Sequence, residues 1–327
     1  MTGYCDTFQR PINYLRISVT DRCNLRCVYC MPEEGVPMMS HLDILSYEEI
    51  IAVVKAAAEM GINKVRLTGG EPLVRQGLSS LVKQIAAIGP IDDISLTTNG
   101  IMLSRYAAEL KGAGLNRVNI SLDTLRPERF RSITRCGNLE DTLRGIEAAH
   151  HTGLEPVKIN MVVVAGVNDD EIVDFARKTI HNGWHVRFIE YMPVTNDPEG
   201  ERNLVSVAEM RKRIEPLGEL QPVTLKVGNG PAKYFKLPGA NGTIGFITPV
   251  TEHFCYQCNR LRLTADGKLM PCLLRETEID LREPLRAGAS QAELKELVQS
   301  AILAKPVGHE LVGGGGHPGR PFSHIGG

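Results

Sequence analysis

The chain has 327 residues, with 37 Lys and Arg against 38 Asp and Glu, so its formal net charge is −1. This balance excludes the strong positive field with which many proteins attract nucleic acids or membrane surfaces. Apolar residues make up 43% and charged residues 23%, which is typical of a folded chain of two or three domains and excludes a disordered one. No apolar run is long enough for a membrane-spanning helix and the N-terminus lacks a signal-peptide core, so we expect a cytoplasmic protein.

The first 215 residues alternate between extended, β-branched segments and helical patterns. We predict strands at 15–20, 64–69, 93–99, 117–123, 157–164 and 185–191. We predict helices at 46–60, 77–88, 104–112, 139–151, 169–181 and 206–215, the first of them with a capping box formed by Ser46 and Glu49. Six successive β-α units predict a parallel sheet covered by helices, and six rather than eight predict an incomplete (β/α)6 barrel of the TIM type.

Five of the six predicted strands alternate apolar and polar residues, so each presents two chemically different faces. The apolar faces should pack on the helices, and the polar faces should line a lumen of hydroxyl, amide and basic groups. Arg16, Arg66 and Lys158 fall on the polar faces. Because unpaired charges are costly in a protein interior, we expect an anionic ligand in this cavity to pair with them. Internal salt bridges or solvent-exposed strand ends are the alternatives at any one position.

After residue 215 the chain becomes turn-rich, and we predict small hairpins, a helix near 290–303 and a Gly-rich tether at 313–316. The sequence therefore predicts two domains. A partial barrel covers residues 1–215, and an α+β extension covers residues 216–327.

Six of the eight cysteines form two groups of three, and the first group is Cys23, Cys27 and Cys30. It follows the first strand directly, at the end of a barrel where active sites lie. Disulfides are rare in a reducing cytosol, so grouped thiols indicate metal chemistry. Three thiolates fill three of the four ligand positions of a 4Fe–4S cluster and leave one iron open, whereas a zinc site would need another ligand. Cys5 and Cys136 fit neither group and are predicted to be free thiols.

The second group again has three thiols, Cys255, Cys258 and Cys272. A second iron–sulfur cluster and a zinc site completed by His253 are the two interpretations that the spacing allows. Arg260 and Arg262 follow, one residue apart. An extended backbone would point both guanidinium groups to one face, an arrangement suited to phosphate, and a solvated basic stretch is the alternative.

The run DRCNLRCVYCMP resembles the cluster loop of the radical S-adenosylmethionine (SAM) superfamily, and LTGGEPLVR resembles its GGE motif. The resemblance implies that a reduced cluster cleaves SAM to methionine and a 5′-deoxyadenosyl radical, which abstracts a substrate hydrogen. It also implies that Tyr29 packs beside the adenine. Gly69 and Gly70 allow a close approach to a ligand, and Glu71 is positioned to accept a hydrogen bond from the SAM amine.

Nearly the whole chain resembles the GTP 3′,8-cyclase family, which carries out the first step of molybdenum cofactor (molybdopterin) biosynthesis. The matching segments include LRISVTDRCNLRCVYCMP, VRLTGGEPLVR, RFIEYMP, GPAKY, CNRLRLTADGKLMPCL and the terminal IGG. The family's fold is an incomplete (β/α)6 barrel with a C-terminal extension that carries a second cluster. The resemblance implies a lyase that converts GTP to (8S)-3′,8-cyclo-7,8-dihydroguanosine 5′-triphosphate with two 4Fe–4S clusters and SAM.

The same resemblance assigns roles to residues of this chain. The first cluster is bound by Cys23, Cys27 and Cys30, and the second by Cys255, Cys258 and Cys272. The positions that contact SAM are Tyr29, Gly70, Ser121 and Met192. The positions that contact GTP are Arg16, Arg66, Thr97, Lys158, Arg260, Leu261 and Arg262. The radical would take a hydrogen from ribose C3′, the product radical would attack guanine C8 near the second cluster, and the tail residues Gly326 and Gly327 would reach into the active site.

The family further implies GTP as substrate, an unidentified low-potential electron donor, and cyclic pyranopterin monophosphate synthase as the enzyme that takes the product. It is often dimeric, so a homodimer is expected, whereas nucleic acid and membrane partners are not. One alternative is a radical SAM peptide-modifying maturase with an auxiliary cluster, a class that generally carries more C-terminal cysteines. Another is a zinc-binding regulatory or scaffolding protein, which would contain zinc instead of about eight irons per chain.

Overall fold

The structure is a computed structural model that describes residues 4–192, 203–225, 228, 230–309, 320 and 322–326. The strands are β1 (Tyr14–Ser18), β2 (Lys64–Thr68), β3 (Asp93–Thr98), β4 (Arg117–Ser121), β5 (Lys158–Val163), β6 (His185–Glu190), β7 (Gln221–Val223), β8 (Lys233–Lys236), β9 (Thr243–Ile247), β10 (Arg260–Leu263), β11 (Lys268–Met270) and β12 (Ile279–Asp280). The helices are α1 (Tyr47–Glu59), α2 (Leu78–Ala86), α3 (Leu103–Gly112), α4 (Pro127–Thr134), α5 (Leu139–His151), α6 (Ile172–His181), α7 (Val207–Ile214), α8 (Arg282–Arg286), α9 (Gln291–Leu303) and α10 (Phe322–Ile325).

The twelve described strands form one sheet in the order β12-β11-β10-β1-β2-β3-β4-β5-β6-β9-β8-β7. Strands β1 to β6 lie side by side and parallel, which confirms the predicted incomplete (β/α)6 barrel. The extension lengthens this sheet at both edges, because β10 pairs parallel with β1 and β9 pairs parallel with β6. Antiparallel hairpin strands complete each edge. The extension is therefore continuous with the barrel sheet, and the division at residue 215 stays a prediction.

Local sequence explains where the helices begin and what they bury. The predicted capping box is present at α1, where Glu49 N donates to Ser46 Oγ (3.2 Å) and Ser46 N donates to the Glu49 carboxylate (2.7 Å). The apolar face of α1, including Ile50 and Val54, packs in the same core as the apolar strand faces. None of the helices in the described ranges is long and apolar enough to cross a membrane.

The prediction missed α4, because Pro127 interrupts the helical pattern. Proline is compatible with a helix at its first position, where the backbone N–H has no intrahelical acceptor. Here the helix begins at Pro127 itself. The short α8 was also missed, and the six predicted barrel strands are each present within one or two residues of their predicted bounds.

Candidate functional site

The first cysteine group lies on the loop after β1, at the carboxyl end of the barrel strands. Cys30 N donates to Cys27 O (2.9 Å), and Leu25 N donates to Cys23 Sγ (3.4 Å), so a tight turn holds the thiols on one loop. Burial raises the pKa of Cys23 to about 11 and that of Cys30 to about 12. Three thiols on one loop fit a four-iron cluster, because each thiolate binds a different iron, and binding would release their protons.

A glycine turn packs directly on this loop. Gly70 N donates to Thr20 O and Glu71 N donates to Arg22 O, both at 2.8 Å. A Cβ atom at Gly70 would lie 2.4 Å from Arg22 O, and one at Gly69 would lie 2.6 Å from Thr20 O. The close approach that we predicted toward a ligand is therefore, in this structure, an approach to the chain's own backbone.

Glu71 is buried and its carboxylate accepts hydrogen bonds from within the chain. Leu73 N (3.1 Å) and Thr98 Oγ1 (2.7 Å) donate to Oε1, and Asn99 N (2.7 Å) donates to Oε2. Burial raises the pKa of Glu71 to about 7, although these hydrogen bonds act to lower it. The carboxylate therefore joins the ends of β2 and β3, and the predicted hydrogen bond from the SAM amine would share these oxygens.

Tyr29 and Ser121 line one small cavity of about 40 Å³ beside Cys27. Tyr29 OH donates to Asp123 Oδ2 (2.5 Å), and Val162 N donates to Asp123 Oδ1 (2.8 Å). Burial raises the pKa of Asp123 to about 6. The structure thus brings together two of the residues predicted to contact SAM and adds Asp123, which fixes the Tyr29 hydroxyl. Asp123 is the last residue of the predicted strand 117–123, and no motif assigns it a role.

Gly70 and Met192 complete the predicted SAM positions. Gly70 follows β2 and Met192 follows β6, and both strands are parallel to β1. Both residues therefore lie at the same end of the barrel as the first cysteine loop.

The polar strand faces line one chamber, as the alternation predicts. Arg16 lies in register between Arg66 and Arg262. Further along the sheet, Asn119 lies beside both Thr97 and Lys158. Because in-register residues on neighbouring parallel strands point to the same face, these side chains share the lumen.

The chamber is strongly basic and largely shielded from water. Burial lowers the pKa of Arg66 and of Arg262 to about 10. Burial, with Arg187 and Arg117 next in importance, lowers the pKa of Lys158 to about 6. Anionic groups entering this space would be attracted with little screening by solvent.

Two further arginines face the chamber. Arg117 forms an ion pair with Asp93, and Arg187 Nη2 donates to Asn119 Oδ1 (2.6 Å). The sequence pattern does not predict that Arg187 faces the lumen, because Ile189 interrupts the alternation of apolar and polar residues in β6. The pairing of Asn160 with Arg187 shows that this arginine belongs to the lumen face.

Several buried polar atoms in the chamber have no hydrogen-bond partner among the described residues. They are Tyr14 OH, Thr97 Oγ1, Arg117 Nε and Nη1, Asn160 Oδ1 and Arg187 Nε. An unsatisfied buried group of this kind costs about 1–3 kcal/mol. A ligand with negative charge and with both donors and acceptors would satisfy them, and a nucleotide has this chemistry.

The second cysteine group lies at the opposite end of the same strands. Cys258 precedes β10, which runs parallel to β1, and Cys272 follows β11, which returns antiparallel to β10. At about 3.3 Å per residue, the five residues of β1 separate the two ends by roughly 16 Å. The chamber therefore lies between the two cysteine groups.

Charged side chains surround this second group. Burial raises the pKa of Cys258, but Arg260 and Lys305 outweigh it and lower the value to about 6. His253, the residue that a zinc site would use, packs edge-on against His309 with ring centroids 5.7 Å apart. In the described part of the chain, no three His, Cys, Asp or Glu side chains are arranged around a single metal ion. Three thiols beside the paired strands β10 and β11 again fit a cluster with one open iron.

The pair of arginines after this group lies on an extended backbone, the condition under which both would point to one face. Arg260 and Arg262 are both on β10, in register with Tyr14 and Arg16, so both face the chamber. Leu261, between them, is fully buried in the hydrophobic core. Leu261 could therefore contact a nucleotide only through its backbone.

The C-terminal tail enters the chamber. Arg262 Nη1 donates to Gly326 O (2.8 Å), and a Cβ at Gly326 would lie 2.4 Å from Thr68 Cγ2, so only glycine fits this position. Arg320 attaches the tail to the extension through ion pairs with Asp266 and Glu278. Gly327 lies outside the described residues.

All eight cysteines are outside disulfide bonds, and the expectation that Cys5 and Cys136 bind no cluster stays a prediction. Cys5 is exposed, and Cys136 Sγ lies 3.6 Å from Asn24 O on the first cysteine loop.

The chain matches two family profiles. Residues 17–179 match the Radical SAM superfamily, and residues 184–311 match Molybdenum Cofactor Synthesis C.

Relatives named GTP 3′,8-cyclase match the chain over nearly its full length. The relative from Heliobacterium modesticaldum is 52% identical and the one from Moorella thermoacetica is 53% identical. Each alignment covers 98% of this chain and 99% of the relative. Among solved structures, Streptococcus suis SuiB bound to S-adenosylmethionine matches with a TM-score of 0.60 and 15% identity, over 83% of this chain and 63% of that one. This last likeness concerns the fold alone.

Proposed function

The chain belongs to the GTP 3′,8-cyclase family of the radical SAM superfamily, and we propose on this basis that it cyclises GTP in the first step of molybdenum cofactor biosynthesis. One structural observation carries the proposal. Cationic side chains from several strands share a buried chamber that lies between two three-cysteine loops, one at each end of the strands. A substrate that is both a polyanion and a donor and acceptor of hydrogen bonds fits this chamber.

As a member of this family the chain uses SAM and iron–sulfur clusters. When bound, the first cluster supplies the electron that cleaves SAM and thereby provides the radical that starts the cyclisation. Cys23, Cys27 and Cys30 would bind this cluster, and Cys255, Cys258 and Cys272 the second. The SAM positions are Tyr29, Gly70, Ser121 and Met192, with Asp123 orienting Tyr29 through its 2.5 Å hydrogen bond.

The residues of the chamber would orient GTP. Arg16, Arg260 and Arg262 lie on adjacent strands and would neutralise the triphosphate. Arg66, Thr97 and Lys158 continue the same surface and would bind the remaining polar groups of the nucleotide. Burial excludes water from these contacts and so strengthens them. The Gly326 carbonyl on Arg262, and Gly327 beyond it, would contribute from the tail.

The proposal includes partners that follow from the chemistry. A low-potential electron donor is needed because each turnover begins with a reduction, and cyclic pyranopterin monophosphate synthase would take the product. We further propose that the protein works in the cytoplasm. The homodimer stays a prediction.

The deciding experiment is anaerobic incubation of the iron-reconstituted protein with SAM, a strong chemical reductant and GTP. We expect 5′-deoxyadenosine to form in a GTP-dependent manner, together with a nucleotide of the same mass as GTP. Mass spectrometry and chromatography measure both products. Release of 5′-deoxyadenosine with no change in GTP would contradict the proposal and favour the peptide-modifying alternative. A protein that takes up zinc instead of iron would favour the scaffolding alternative.

A further inference from the structure

Lys305 lies in the wall of the second cysteine group, and neither the motifs nor the proposed mechanism gives it a role. It follows α9 and is 3% exposed. Its Nζ donates to Arg260 O (2.8 Å) and to Pro271 O (2.7 Å). Arg260 comes two residues after Cys258, and Pro271 comes directly before Cys272. One buried ammonium therefore joins the two halves of this cysteine group.

The two carbonyls that accept from Lys305 flank Cys258 and Cys272 in the chain, so its ammonium lies beside the residues that would hold the cluster. A second cation, Arg10, donates to Cys255 O (2.7 Å) but is neutralised by an ion pair with Asp6 at 2.6 Å. Arg260 is a further cation at this group, since its Nη2 lies 3.7 Å from Cys258 Sγ.

The surroundings of the first cysteine group are mixed. Asp123 lines the same cavity as Cys27, and Arg26 donates to Cys23 O (2.8 Å). Reduction of an iron–sulfur cluster adds one negative charge, so nearby cations favour the reduced form and nearby anions oppose it. In a buried site this effect is weakly screened.

We propose that Lys305 tunes the second cluster, raising its reduction potential through its buried positive charge. The inference rests on the proposed function only in placing an iron–sulfur cluster on Cys255, Cys258 and Cys272. The cluster gains one electron from an external reductant, and Lys305 keeps its proton throughout.

The test is a potentiometric titration with dithionite, followed by electron paramagnetic resonance of the reduced cluster. A parent protein with Cys23, Cys27 and Cys30 all replaced by Ala isolates the signal of the second cluster. In this parent, Lys305→Gln removes the charge but keeps a hydrogen-bond donor, and Lys305→Arg keeps the charge. We expect Lys305→Gln to shift the midpoint potential to more negative values and Lys305→Arg to leave it within the spread of replicate titrations.

The matched control is Lys295→Gln on α9, because Lys295 is more exposed and pairs with Glu59 at 2.9 Å. It should leave the potential unchanged. The shift in Lys305→Gln should also persist at high salt, because the charge is buried.

Three results would overturn the proposal. One is an unchanged potential in Lys305→Gln, and another is the same shift in Lys305→Arg and Lys305→Gln. The third is loss of iron from Lys305→Gln while Lys305→Arg keeps both iron and potential, since Lys305 would then act only as a structural brace. A parent protein with no iron–sulfur signal at this group would instead contradict the proposed function.

Discussion

The two three-cysteine loops have the same number of ligands but are packed differently. The turn at Gly69 and Gly70 touches the first loop closely enough to exclude a Cβ. Basic side chains donate to carbonyl groups of both loops, Arg26 and Arg135 at the first and Arg10 and Lys305 at the second. Ligand count alone therefore does not determine the environment of a cluster. In this chain the two loops share basic side chains on their carbonyls and differ in the glycine turn that packs on the first.

The largest expected effect comes from removing one cysteine ligand from either loop. Cys27→Ala should abolish 5′-deoxyadenosine formation, whereas Cys258→Ala should allow SAM cleavage and abolish the cyclised nucleotide. Iron should fall from about eight to about four per chain in each variant, because each loses one four-iron cluster. Iron analysis and product chromatography measure these outcomes. Cys136→Ala is the control and should keep both clusters, and loss of all iron from either cluster variant would show that the loops are not independent.

A smaller change tests the packing of the first loop. Gly70→Ala places a Cβ 2.4 Å from Arg22 O, so the loop backbone must move. We expect a loss of about 1–3 kcal/mol in the free energy of unfolding, typical of overpacking, and weaker retention of the first cluster only. Denaturant titration and iron content after gel filtration measure both effects. Gly89→Ala is the matched control, because a Cβ there meets no atom within 4 Å. Equal behaviour of the two variants would refute the packing argument.

Much of this arrangement could be predicted from the sequence, because the two-residue period of a strand fixes which side chains share a face. The lumen positions of Arg16, Arg66 and Lys158 follow from that period alone. The same period does not predict that Arg187 faces the chamber, because Ile189 breaks the alternation of its strand. The pairing of Arg187 with Asn160 on the neighbouring strand shows that it does.

Other parts of the site could not be predicted, because they depend on contacts between distant segments. Arg10 donates to a carbonyl 245 positions away in the chain. Tyr234 reaches Lys158, with 5.4 Å from its ring to Nζ, because Gly245 has no side chain to block it. Short-range patterns carry no information on such pairs. The second cysteine group also lies at the amino end of the strands, away from the end that barrel folds usually use.

A third change weakens the chamber between the loops. Arg262→Ala removes a guanidinium that faces the chamber, and Arg260→Ala removes its neighbour on β10. Each should weaken GTP binding by about 1.5–3 kcal/mol, the contribution of a charged hydrogen bond, which corresponds to a roughly ten- to hundredfold higher Kd. Isothermal titration calorimetry measures the affinity, and SAM cleavage should remain possible in both variants. Arg177→Ala, which removes an exposed arginine paired with Asp174, is the control. Unchanged GTP affinity in both chamber variants would contradict the phosphate assignment.

The smallest expected effect is the uptake of a proton by the chamber when the nucleotide binds. Burial and the neighbouring arginines lower the pKa of Lys158 to about 6, so in the free protein at pH 8 this amine is largely neutral. A bound polyanion favours the ammonium form and raises this pKa, so GTP binding should take up as much as one proton, and affinity should fall as pH rises above 6. Calorimetry at pH 8 in two buffers of different ionisation enthalpy measures this uptake. Lys158→Met should remove it, and Lys83→Met, a change at an exposed lysine on α2, should keep it. Equal uptake by Lys158→Met and the unmodified protein would place the proton elsewhere, and Lys158 would then be a cation before GTP arrives.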